Sequence, residues 1–205
     1  MDELNEPAES QDELWLISYA DLLSLLVGFF ILMIAAAPPR HAAFERIAAS
    51  ISGSKSGPLQ QLRERVEDLV AKSPELHDRV IARDDAEGLG IEFKDALLFD
   101  SGSADVRPEG RRAIGEVARL LGSLPGRRVL VEGHTDEVPI RTAHFRSNWE
   151  LSSQRAINVL AALESSGIPR DRLSARAFAD TRPREQQGTI EERRLANRRV
   201  VIRVE

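Results

Sequence analysis

Apolar residues run nearly unbroken from Leu14 to Ala37, long enough to cross a bilayer as a single helix. Beyond that stretch they recur in short groups at helix or strand spacing. Pro38-Pro39 closes the first helix, because proline lacks an amide hydrogen and disfavours helix in the residue before it. Phe44, Ile47 and Ile51 then fall at helical spacing until Ser52-Gly53-Ser54 interrupts them. Pro58 opens another helix, with Leu59, Leu62, Val66, Leu69 and Val70 along one side. That stripe suits a dimer contact or packing onto the domain that follows.

From Arg79 onward the pattern alternates. Val80-Ile81-Ala82 and Leu89-Gly90-Ile91-Glu92-Phe93 flank 84–88 as a hairpin. Helices are predicted over 108–121, 147–165 and 191–197, and strands over 128–132, 173–178 and 199–204. The result is an α+β domain with helices on one sheet face. The chain divides into an acidic tail (1–13), a transmembrane helix (14–37), a linker with short helices (38–78) and a C-terminal domain (79–205).

Composition narrows the function. The 205 residues are 42% apolar and 30% charged, which suits one domain with its own core plus an anchor. The net charge of −5 offers nucleic acid no general attraction. With no cysteine there is no disulfide framework, thiol nucleophile or Cys-based metal site. No Ser or Cys nucleophile stands with His134, which reads as a loop-ordering residue. The expectation is a non-enzymatic protein without cofactor, metal or catalytic residue.

Asp21 lies inside the apolar helix. A carboxylate at that depth costs about 2.5 to 3.5 kcal/mol on insertion scales and marks an ion or proton pathway by default. Ser18, Asp21, Ser24, Gly28 and Ala35 share one side, opposite Leu22, Leu26, Phe29, Phe30 and Met33. Small and polar residues permit close helix–helix contact, so Asp21 is expected to face other transmembrane helices. One spanning segment builds no pore alone and needs helices of another protein or of further copies. The segment reads as an anchor rather than a signal peptide, since Asp2, Glu3, Glu6, Glu9, Asp12 and Glu13 replace the usual basic start.

The run from Trp15 to Leu26, with Phe29-Phe30 after it, resembles the transmembrane signature of MotB and PomB, the B subunits of flagellar stators. The resemblance implies that Asp21 carries the coupling ion, H⁺ or Na⁺, between helices of a MotA-like multi-helix subunit. It also implies two copies of this chain per complex, and that the 41–56 segment is a plug; a spacer helix on the membrane surface fits that pattern equally. Arg40 and Arg46 by themselves would place the C-terminal side in the cytoplasm, whereas the family orientation is an inner-membrane anchor with a periplasmic domain.

Four pieces of the C-terminal domain are similar to the OmpA-like peptidoglycan-binding family: 98–108, Gly133-His134-Thr135-Asp136, Leu151-Ser152-Ser153-Gln154-Arg155-Ala156, and Asn197-Arg198-Arg199-Val200. Val138-Pro139-Ile140 and Ser147-Asn148-Trp149-Glu150 look like the MotB branch. The implied fold is an OmpA-like α/β sandwich. Its implied ligand is the diaminopimelate of a peptidoglycan stem peptide, held by Asp136 and Arg155, with Thr135, Asn197 and Arg198 around it and backbone N–H groups of the turn and helix start helping. Arginine can grip a carboxylate with two prongs while aspartate takes the ammonium.

On the residues alone, Asp136 and Arg155 read first as an internal ion pair fixing the loop, and Arg199 fits a solvated strand charge equally well. Ala177-Phe178-Ala179 stands where the family has Gly-aromatic-Gly, which implies a backbone outside glycine-only conformations there. The 38–77 link is short for a wall anchor. Two other functions share these motifs: a ZorB-like subunit of an ion-driven anti-phage complex, and a wall anchor that conducts no ion.

Overall fold

The computed structural model describes residues 11–36, 57–85, 87–184 and 187–205. Phe44, Ile47, Ile51, Arg40, Arg46, the Pro38-Pro39 stop and the start of the acidic tail lie outside them. The chain forms two compact units, residues 1–39 and 40–205.

The first unit contains α1, Gln11–Ala36. Its Trp15–Ile34 portion is long and apolar enough to cross a membrane, with mean hydropathy 2.2, and none of those residues is buried within the chain. Trp15 and Tyr19 pack one turn apart, ring centres 6.2 Å from each other. Ser24 Oγ donates to Ala20 O at 2.8 Å, which satisfies the hydroxyl inside the helix.

The second unit is a mixed sheet with helices on one face. It begins with α2, Pro58–Lys72. Proline at the first position needs no hydrogen-bond partner, which favours a helix start there. Strands β1, Val80–Asp85, and β2, Gly88–Lys94, form an antiparallel hairpin pairing through Asp85↔Gly88. Asp84 and Asp85 therefore belong to the strand rather than to the expected turn. One helical turn, α3, Asp95–Leu98, precedes α4, Pro108–Gly122. Then come β3, Val129–His134, α5, Asn148–Ser165, and β4, Leu173–Ala179. The chain closes with α6, Ile190–Asn197, and β5, Arg199–Val204.

The strand order is β1-β2-β5-β3-β4. Only β3 and β4 are parallel, joined by the α5 crossover, as parallel neighbours require. Strand alternation separates the two faces. Ile91, Phe93, Val129, Val131, Val200, Ile202 and Val204 join the core with Val117, Leu121, Val159 and Leu163 of the helices. Leu62 and Val66 of α2 are buried in the same core. The stripe of α2 thus packs on the domain, the second of the two uses expected of it.

On the opposite sheet face the central strands carry buried charges. Glu132 is 1% exposed and accepts from Arg203 Nη2 at 3.1 Å. Burial raises its pKa, but the adjoining His134 and Arg203 outweigh this and hold it at about 2. Arg199 is 8% exposed, not a solvated charge as its sequence position suggested. It donates to the carbonyls of Asn197 and Arg182, while burial lowers its pKa to about 10. His134 stacks on Phe178, ring centres 5.3 Å apart. Burial lowers its pKa, and Glu132 opposes that only in part.

Two backbone positions bring the site elements together. A Cβ on Gly133 would lie 2.2 Å from Ser152 O, so only glycine lets β3 and α5 approach this closely. Ala179 has φ of +48°, in the left-handed region that L-residues avoid. It sits where the β3–β4 register shifts, His134 pairing with Ala179 after Gly133 pairs with Ala177. The expectation of ordinary backbone at the 177–179 segment therefore fails at Ala179. The strained residue ends the strand so that its carbonyl accepts from Thr135 N at 2.8 Å.

Candidate functional site

Sheet register gathers the site at one end of three strands. Lys94 of β2 pairs with Arg199 of β5, and Arg199 pairs in turn with His134 of β3. The next residues outward, Asp95, Arg198 and Thr135-Asp136, therefore converge at the same sheet edge. The first turns of α5 close the group with Leu151 and Arg155. Together they line an open cavity of about 760 Å³ that also takes in Phe99, Ile140, Asn148 and Arg194.

The two residues named first from sequence both reach this cavity, but they do not pair with each other. Arg155 Nη1 lies 2.7 Å from Asp95 Oδ1, its Nε donates to Ser103 O at 2.9 Å, and its guanidinium sits 4.7 Å over the Phe99 ring. Asp136 Oδ2 accepts from Arg198 Nη1 at 2.6 Å, and its Oδ1 accepts from Val138 N. The expected internal Asp136–Arg155 pair is replaced by two crossed pairs, because register places Asp95 against Arg155 and Arg198 against Asp136. Burial raises the Asp95 carboxyl against the pull of Arg155. Burial likewise lowers the Arg155 guanidinium, opposed by Asp95.

Thr135 is 5% exposed, and its Oγ1 has no hydrogen-bond partner. A buried hydroxyl left unpaired is costly. Its backbone N–H is already committed to Ala179 O, so the turn amide expected to help a ligand carboxylate is occupied here. The helix start is similarly engaged, Glu150 N donating to Ser147 Oγ at 3.3 Å.

Asn197 is placed differently. It is buried at the end of α6, and its Oδ1 accepts from Arg184 N at 2.8 Å. It supports the backbone beneath the site and does not line the cavity, unlike Arg198 next to it. A complete capping box between Thr189 and Glu192 fixes the start of this short helix.

Sequence reasoning missed Asp95, Phe99 as a platform, and Asn148. Asn148 Nδ2 donates to Asp136 O and Val138 O, and its Oδ1 accepts from Ile140 N. One side chain thereby holds the 136–140 loop in shape. A buried arginine demands a carboxylate, which was the available signal for Asp95. Nothing in the spacing identified which acid would serve.

Paired carboxylates and guanidiniums around an open cavity with apolar walls suit recognition of a small zwitterionic group. Among the described residues no group of three or more His, Cys, Asp or Glu is placed to hold a metal ion.

Comparison with known proteins agrees with both halves of the chain. The family described as membrane MotB of the proton-channel complex MotA/MotB matches residues 2–54, and the OmpA family matches residues 98–198. Motility protein B of Bacillus subtilis is 28% identical over 239 residues, covering 95% of this chain and 91% of the relative. The uncharacterized protein YtxE of the same organism is 31% identical over 212 residues, covering 92% and 86%. Among solved structures, the cell wall anchor of the T6SS from Pseudomonas aeruginosa superposes with TM-score 0.60 at 33% identity, over 68% of this chain and 96% of that one. The periplasmic domain of Helicobacter pylori MotB superposes with TM-score 0.56 at 26% identity, over 62% and 78%.

A membrane-length helix followed by an OmpA-type domain defines a class, the anchored proteins with an OmpA-like domain. Within that class the chain belongs to the MotB family of flagellar stator subunits.

Proposed function

We propose that this chain is the B-type subunit of an ion-driven stator in the bacterial inner membrane, with its C-terminal domain in the periplasm. Asp21 carries H⁺ or Na⁺ among the helices of a MotA-like partner, and two copies of the chain serve each complex. The domain grips the diaminopimelate of a peptidoglycan stem peptide, so that torque acts against a fixed point. The chain performs no catalysis.

One observation carries this reading. A membrane-length helix with an embedded carboxylate and a zwitterion-suited cavity occur in the same chain, in the order of the MotB family. Moving one charge across a membrane potential is worth about 2.3 kcal/mol per 100 mV, enough to drive a mechanical cycle. The domain supplies the anchor: guanidiniums for the carboxylate and carboxylates for the ammonium.

A second reading has its own support. The likeness to the cell wall anchor of the T6SS favours a wall-binding protein that conducts no ion. That reading leaves Asp21 unused. Deleting the gene in its host and complementing with wild type or Asp21→Asn separates the two. The stator reading predicts swimming in soft agar with wild type only, both proteins being inserted in the membrane equally. Normal swimming with Asp21→Asn would refute it; unaffected swimming after the deletion itself would turn the reading to the ZorB-like defence role, tested by phage challenge.

A further inference from the structure

Of the four charged residues at the heart of the cavity, Asp95 belongs to none of the motifs that identify the family. It lines the cavity, its side chain is 15% exposed, and its carboxylate meets Arg155 at 2.7 Å. Its backbone N–H donates to Arg198 O at 3.1 Å, so the single turn of α3 is tied to both arginines. The charges of Asp95 and Asp136 cancel those of Arg155 and Arg198. At the rim, Arg194 is taken by Glu137 at 2.8 Å, Glu191 is exposed and lies 3.8 Å from Arg198 Nη2, and Lys94 is exposed.

We propose that Asp95 is a specificity-determining residue: its charge cancels that of Arg155, so the cavity demands an ammonium beside the ligand's carboxylate. Without Asp95, Arg155 would be a buried cation that any carboxylate could satisfy. With it, a bare carboxylate entering the cavity brings a third negative charge next to two existing ones, in surroundings that screen poorly. An amino-acid end carries its own ammonium, which Asp95 and Asp136 receive while the arginines take the carboxylate. Discrimination thus comes from a repulsive element as well as an attractive one. This inference rests on the reading of the cavity as the stem-peptide site.

The test is calorimetric titration of the full chain in detergent with three tripeptides differing at the last residue. One ends in meso-diaminopimelate, one in 2-aminopimelate, which keeps the distal carboxylate and lacks its ammonium, and one in lysine, which keeps the ammonium alone. Wild type should prefer the diaminopimelate peptide over either analogue by about tenfold or more. Asp95→Asn preserves shape and removes charge. It should weaken diaminopimelate binding about tenfold, leave 2-aminopimelate unchanged or tighter, and collapse the preference between them. Asp95→Ser, measured in the same way, serves if the Asn variant does not fold. Equal weakening of both diacid peptides would overturn the proposal and leave Asp95 as a support for Arg155, the cavity reading standing on the wild-type affinity. Failure of wild type to bind the diaminopimelate peptide would overturn both.

Discussion

Asp21 and Asp136 are the acids to which the proposed function gives its two roles, and they meet their charge in opposite ways. Asp136 finds Arg198 at 2.6 Å within its own domain, as Asp95 finds Arg155. Asp21 stands on a helix with none of its span buried in the chain. The domain brings its counter-charges with it, whereas on the proposed reading the helix takes its surroundings from other helices. A binding site gains from groups fixed before the ligand arrives. An ion carrier needs a carboxylate whose setting can alternate, and a partner that moves can supply that.

If the domain is self-sufficient, breaking one of its pairs should damage the fold and the site together. Arg155→Ala strands Asp95 in a mostly buried position and removes the guanidinium from Phe99. It should cost about 3 kcal/mol of domain stability, the usual penalty for one orphaned partner of a buried pair. Denaturant unfolding of the wild-type and variant chains measures it, and an unchanged midpoint would show that the pair holds nothing in place.

Gly133→Ala tests whether close approach of β3 and α5 sets the site. The new methyl must displace Ser152 backbone, at a cost of about 3 kcal/mol, the upper end for overpacking. Sedimentation with purified sacculi should fall in parallel, because α5 carries Arg155. Retained stability and binding would mean that the helix can shift without consequence.

Acid should weaken the domain through His134. The folded state holds this imidazole below its ordinary pKa because burial penalises the cation. As pH falls below about 6.5, the unfolded chain takes up a proton that the folded chain refuses, and stability drops by up to about 1.4 kcal/mol per pH unit until the lowered folded pKa is reached. The contribution is absent above the unfolded pKa. An NMR titration of the His134 ring should show a midpoint below 6.5; a midpoint above it would reverse the sign of the effect.

The smallest effect concerns Ala179. Replacing it with glycine relieves the left-handed backbone and should stabilise the domain by about 1 kcal/mol, less the extra freedom of glycine in the unfolded chain. A fall in melting temperature would mean that the buried methyl of Ala179 matters more than its backbone strain.

Most of the fold was legible because apolar spacing in 79–205 is regular and the helix starts carry Pro58, Pro108 and Ser147. Element ends moved where tertiary pairing extended them: β3 continues to His134 because Arg199 lies opposite. Asp136, Arg155, Thr135 and Arg198 could be named in advance because motifs contain them, and all four line the cavity. Their pairing was not legible, since it depends on the register that sets Asp95 and Arg198 at the same sheet edge. Ala179 misled because composition reports what a residue prefers, not what its neighbours impose.

The difference between the two acids is tested most directly by purifying the full chain from its host membrane in mild detergent, as wild type and as Asp21→Asn. Both forms should bring down the same multi-helix membrane protein in fixed ratio, the helices that surround Asp21. Recovery of the chain alone, or only with further copies of itself, would contradict it.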